Sequence, residues 1–142
     1  MTGIAGTGCR SLVDHRFYLA LDEGDRGGHG RYFQRAGYTK LQGKCGSDNC
    51  FDGVYSDGKN IIINEAKPLG ANGTISLNGA SGNLPTQMTD RWVQSAIGRL
   101  RASGDPAAMR TANMLTEAIN NGTLIKVVTA SREQTALIVK VK

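Results

Sequence analysis

The feature that most constrains this chain is the run at residues 60–67, NIIINEAK, read together with the FDGVYSDG that leads into it. Three consecutive isoleucines suit the interior of a sheet, where β-branched side chains pack well on a pleated surface. The run then continues into Asn64, Glu65, Ala66 and Lys67, placing a carboxylate and an ammonium where more core is due. Burying charge is costly unless it is paired or binds an ion. Pro68 ends the strand immediately afterwards.

Asp57-Gly58 sits between the two halves and supplies the positive φ angles of a two-residue type I′ turn. Such a turn sets Ser56 opposite Lys59 and Asp52 opposite Ile63. Directly paired residues share a face, and faces alternate with a period of two. Asp52, Glu65 and Lys67 are therefore expected on one face, with Asp52 and Glu65 as diagonal neighbours whose backbones lie roughly 7–8 Å apart. Two carboxylates so placed can reach one ion. Oxygen donors of this kind suit Mg²⁺ or Mn²⁺, which keep several waters. Lys67 can orient or deprotonate an attacking water, or neutralise charge developing on a phosphate. The plainer alternative is a surface hairpin in which Glu65 and Lys67 make a solvated pair and Asp52 is polar filler.

At 142 residues the chain suits one domain, and with 39% hydrophobic but only 6% aromatic residues its core is mostly aliphatic. Residues 1–25 show no sustained period beyond FYLAL and are expected to be an arm, a linker or a poorly defined first helix. The opening MTGIAGTGCRSLVD reads as a trimmed linker, so the domain proper is placed at 26–142 and the chain is expected to be part of something larger. From Gly28, the spacing of Tyr32, Phe33 and Ala36 predicts a short helix capped by Gly37, followed by YTKL. After the hairpin comes a Gly/Asn/Ser-rich connection in which TISL has the composition of a short strand. TDRWVQSAIGRLRAS predicts a helix with Trp92, Ala96, Ile97 and Leu100 inward, so Trp92 is expected in the core. DPAAMRTANMLTEAINNG predicts another, with Asp105 as N-cap, Pro106 at the first position and Gly122 past the end. TLIKVVTAS and TALIVKVK close the chain as strands. The order predicts an α/β (α+β) fold, a mixed sheet flanked by helices.

Cys9, Cys45 and Cys50 are an odd count, which excludes a full disulfide framework. Cys45 and Cys50 bracket GSDN and are close enough to bond in an oxidising compartment, although reduced side chains beside a hairpin are the simpler expectation. No CxxC is present, which argues against zinc held by these cysteines. No run approaches the ~18 apolar residues that cross a bilayer, and no membrane partner is expected. Seventeen basic against twelve acidic side chains leave a net charge of +5, which favours a polyanionic partner.

FDGVYSDGKNIIINEAK, followed by a Gly-rich loop and QMTDRW, resembles the PD-(D/E)XK nuclease superfamily, in particular the restriction-endonuclease-like toxin domains of bacterial contact-dependent inhibition and polymorphic toxins. The resemblance covers residues 28–100. It implies a restriction-endonuclease-like sheet, Asp52 and Glu65 as metal ligands, Lys67 as the catalytic lysine and Gln87 as a glutamine beside the metal. The chain departs from the family upstream, where an acidic residue on the first helix is common and GHGRYFQ offers none. His29 takes that place, or Glu23 or Asp25 reaches in from the preceding turn, or His29 is a plain surface histidine. A histidine there leaves Zn²⁺ open beside Mg²⁺ and Mn²⁺.

The function expected on this reading is a metal-dependent endonuclease toxin domain, with DNA as first substrate and transfer RNA as second. It would be secreted or displayed as part of a larger toxin and act in the target-cell cytoplasm. Lys40, Lys44, Lys59, Arg91 and Arg99 are candidates for phosphate-backbone contacts. The resemblance further implies a cognate immunity protein, acidic toward this basic surface. A non-catalytic nucleic-acid-binding module and a structural module of a larger secreted protein are the competing classes. The first leaves the paired carboxylates without a purpose, and the second predicts no metal binding.

Overall fold

A computed structural model describes residues 13–19, 30–77, 79, 85–132 and 135–141. In chain order these form β1 (Val13–Leu19), α1 (Gly30–Arg35), β2 (Thr39–Leu41), β3 (Lys44–Cys45), β4 (Asp48–Asn49), β5 (Gly53–Ser56), β6 (Ile61–Pro68), α2 (Asp90–Ala102), α3 (Pro106–Asn121), β7 (Leu124–Arg132) and β8 (Thr135–Val141). Six strands make one mixed sheet in the order β1-β8-β7-β6-β5-β2, while β3 and β4 pair separately. β6 and β7 run parallel, and the other neighbours in the large sheet are antiparallel. A parallel pair needs a crossover. Helices α2 and α3 supply it.

Local chemistry explains where the helices begin and end. The Thr89 hydroxyl accepts the Trp92 N–H to cap α2, and the Asp105 carboxylate accepts the Ala107 N–H to cap α3, with Pro106 in its first turn. Gly122 ends α3 at φ 71°, a left-handed conformation that glycine adopts without a Cβ clash. The inward stripe of α2 (Trp92, Val93, Ala96, Ile97, Leu100) and that of α3 pack on one face of the sheet against Ile61, Ile63, Val128, Leu137 and Val139. The opposite face carries a smaller cluster in which Phe33 of α1 stacks on Tyr55 at 4.9 Å, over Ile62, Val127 and Ile138. The result is a mixed α+β domain with helices against a mixed sheet.

Four local expectations are corrected. Val13–Leu19, read from sequence as part of an arm or first helix, forms edge strand β1, antiparallel to β8. A short apolar run gives periodicity no choice between helix and strand, and pairing with the edge of β8 decides it for Val13–Leu19. The turn at Asp57-Gly58 is not a two-residue loop, because residues 57–60 all lie outside the strands and Ser56 pairs with Ile61. Asp57 is the reason: its Oδ1 accepts the N–H groups of both Lys59 and Asn60, closing a wider turn than backbone bonds alone would. TISL is irregular, with Gly70 N–H donating to the Thr74 carbonyl at 2.8 Å and Ile75 sunk into the core. Cys45 and Cys50 are bonded, their Cα atoms 5.6 Å apart across the β3–β4 hairpin.

Candidate active site

β6 starts as a core strand and ends as something else. Ile61 to Glu65 are all buried, Ala66 is exposed, and Lys67 is half-buried. Glu65 is only 6% exposed, so its carboxyl occupies a position that packing alone would give to another isoleucine. The observed register differs by two residues from the one a two-residue turn sets. One step beyond the Gly53–Asn64 pair, Asp52 now faces Glu65 directly instead of diagonally. A shift of two preserves the face, so Asp52, Glu65 and Lys67 still project toward the helices.

Hydrogen bonds lock this end of the hairpin. Asp52 N–H donates to Glu65 Oε2 at 2.8 Å, and Ala66 N–H donates to Asp52 Oδ2 at 2.9 Å. Gln87 Nε2 donates to Glu65 Oε1 at 2.5 Å. Among the described residues each Glu65 oxygen thus accepts one N–H, which leaves it a further lone pair. Burial nevertheless dominates its titration. Removal from water pushes the carboxyl from 4.5 up to about 7, with the Asp52 charge pushing the same way, against the lowering effects of the Asp52 N–H, the Lys67 charge and Gln87. Asp52 itself is exposed. Among the described residues, no ion pair ties the Lys67 ammonium, and across the parallel ladder it faces only the small Ala130.

Gln87 reaches Glu65 through a backbone feature that sequence reading missed. Thr86 to Thr89 form a tight turn, with Thr89 N–H donating to the Thr86 carbonyl, and Met88 within it has φ 69°. A positive φ at the third turn position favours glycine, and a non-glycine residue held there stores about 1–3 kcal/mol. Met88 is fully buried, so packing of its side chain offsets that strain. Nothing in QMTDRW signals this, because the usual marker, a glycine, is absent.

Other sequence expectations separate. His29, Glu23 and Asp25 lie outside the described residues. Trp92 is buried edge-on against Phe51 at 5.4 Å, in the core. Lys40, Lys44, Lys59 and Arg91 are exposed and Arg99 is half-buried. No helix among the described residues is long and apolar enough to cross a membrane.

Among the described residues no three His, Cys, Asp or Glu side chains cluster. The donors here, among the described residues, are the Asp52 and Glu65 carboxylates, with one Asp52 oxygen accepting no hydrogen bond from those residues. Such a set fits a hard divalent ion that keeps most of its waters, as Mg²⁺ and Mn²⁺ do, better than one that prefers nitrogen and sulfur ligands. Comparison with protein-family models, with curated proteins and with solved structures finds no match to this chain.

Proposed function

We propose that this chain is a restriction-endonuclease-like, metal-dependent endonuclease domain that hydrolyses phosphodiester bonds of DNA. The observation that carries the reading is the direct opposition of Asp52 and Glu65 at the charged end of a buried strand, with Lys67 two residues on along the same face. An Mg²⁺ or Mn²⁺ ion held by these carboxylates would supply Lewis-acid activation of water and charge stabilisation on the phosphate. The protein's part is positional. Asp52 and Glu65 present their oxygens, Gln87 fixes the plane of the Glu65 carboxylate, and Lys67 orients the attacking water or neutralises charge on the phosphate. Exposed lysines and the net charge of +5 suit a polyanionic substrate.

On this reading the domain is the toxic part of a larger secreted or surface-delivered protein, acting in the target-cell cytoplasm and neutralised in its producer by an acidic immunity protein. The Cys45–Cys50 bond supports passage through an oxidising compartment.

The test is incubation with plasmid and with total RNA, separately with each divalent ion and with EDTA. Cleavage of plasmid that needs a divalent ion and is lost in Glu65→Gln is the expected result. Cleavage of transfer RNA alone would move the same site to an RNA substrate. No cleavage of either with any ion would overturn the enzyme reading.

A further inference from the structure

A second feature lies further back along the same sheet face. Along β7, Leu124, Val128 and Ala130 point toward the helices as apolar residues should, but Lys126 interrupts them. It is 8% exposed, on a strand flanked by neighbours on both sides. Beside it opens a cavity of about 500 Å³, within the range of small-molecule sites. Val93, Ile119, Leu124 and Val141 give the cavity apolar walls, and Asp90 and Gln94 stand exposed at its rim. A leucine or methionine at 126 would serve packing better.

The lysine's partner does not account for it. Lys126 Nζ lies 3.2 Å from Asp90 Oδ1, but the Asp90 side chain is 97% exposed. An ion pair with one member in water contributes little and exchanges readily. Asp90 is also the first residue of the thirteen-residue helix α2, so its carboxylate sits where a helix N-terminus and a lysine converge. That convergence favours phosphate. The apolar walls suit a flat, weakly polar body behind the phosphate, and the Gln94 amide offers one donor and one acceptor to its edge.

We propose that this cavity binds a small organic phosphate of the nucleoside monophosphate class, with the phosphate replacing Asp90 on Lys126 and the base inside the apolar walls. This does not rest on the nuclease reading, since it uses none of Asp52, Glu65, Lys67 or Gln87.

The test is an amide NMR titration of the whole chain with adenosine 5′-monophosphate in EDTA. Saturable shifts at Val93, Gln94, Ile119 and Lys126 are expected. Lys126→Met should weaken binding about tenfold or more, the worth of one hydrogen bond to a charged group. Asp90→Asn should tighten it by removing the competing carboxylate. Should Lys126→Met fail to fold, Gln94→Trp, at an exposed rim position, closes the cavity and should abolish the shifts. Adenosine or inorganic phosphate binding as tightly as the nucleotide would overturn the proposal. So would unchanged affinity in Lys126→Met, or shifts confined to the Asp52–Glu65 end, the last leaving the nuclease site intact.

Discussion

Asp52 is tied to Glu65 and to the residue after it across the β5–β6 hairpin: the Asp52 N–H donates to the Glu65 carboxylate, and the Asp52 carboxylate accepts the N–H of Ala66. The two acids are adjacent yet unlike in surroundings. Glu65 is buried and Asp52 is exposed. Glu65 therefore carries most of the electrostatic cost of the site.

That cost is readable as pH dependence. Between roughly pH 4.5 and 7 the native state holds a proton on Glu65 that the unfolded chain has lost, so stability should fall as pH rises through this window and level off above it. The span is at most about 3.5 kcal/mol, at about 1.4 kcal/mol per unit. Glu65→Gln should be the more stable protein at about pH 8 in EDTA, with the difference gone near pH 4. Urea denaturation of both proteins across pH measures this; parallel profiles would clear Glu65 of any destabilising role.

Asp52→Asn should behave differently. Repulsion between the two carboxylates is relieved, but with Asp52 in water the stability change in EDTA should stay within about 0.5 kcal/mol. If the pair shares an ion, millimolar Mg²⁺ or Mn²⁺ raises the melting temperature of the parent by mass action, and raises that of Asp52→Asn less. Melting curves indifferent to metal in both proteins would sink the shared-ion assignment.

Gln87→Ala removes the donor to Glu65 Oε1, one of the influences that lowers the Glu65 pKa. The Glu65 carboxyl should titrate higher in the variant, seen in its side-chain ¹³C shift, and under the proposed function plasmid cleavage should drop. An unchanged titration would mean that the Gln87 contact does not bear on the carboxylate.

Met88 offers an inverted substitution series. Met88→Ala should cost about 2–5 kcal/mol through the cavity it leaves. Glycine is normally worse still, yet here it escapes the strain of φ 69°. Met88→Gly should therefore be no less stable than Met88→Ala. Chemical denaturation of the pair decides, and a clear further loss in the glycine variant would show that the turn is unstrained.

Much of the fold was legible because its signals are local. Asp105, Pro106 and Gly122 delimit α3 through bonds within a turn of the helix ends, and the stripe of Trp92, Ala96, Ile97 and Leu100 repeats at the helical period. The shared face of Asp52, Glu65 and Lys67 was legible too, and it survived an error in register. The Asp57 side chain widened the turn by two residues, and a strand's faces repeat every two.

What residues reveal on their own depends on neighbours a few positions away: helix caps, periodicity and the face on which a strand residue points. The tertiary structure alone decided that Val13–Leu19 becomes an edge strand, that Glu65 is buried while Asp52 is not, and that a strained Met88 delivers Gln87 to Glu65. Each of these follows from contact with a segment distant in sequence: the edge of β8, the helices over β6, the core beneath Met88. Pattern along the chain carries no record of such contacts, because burial and register are set by which surfaces meet, and that is determined only when the whole domain packs.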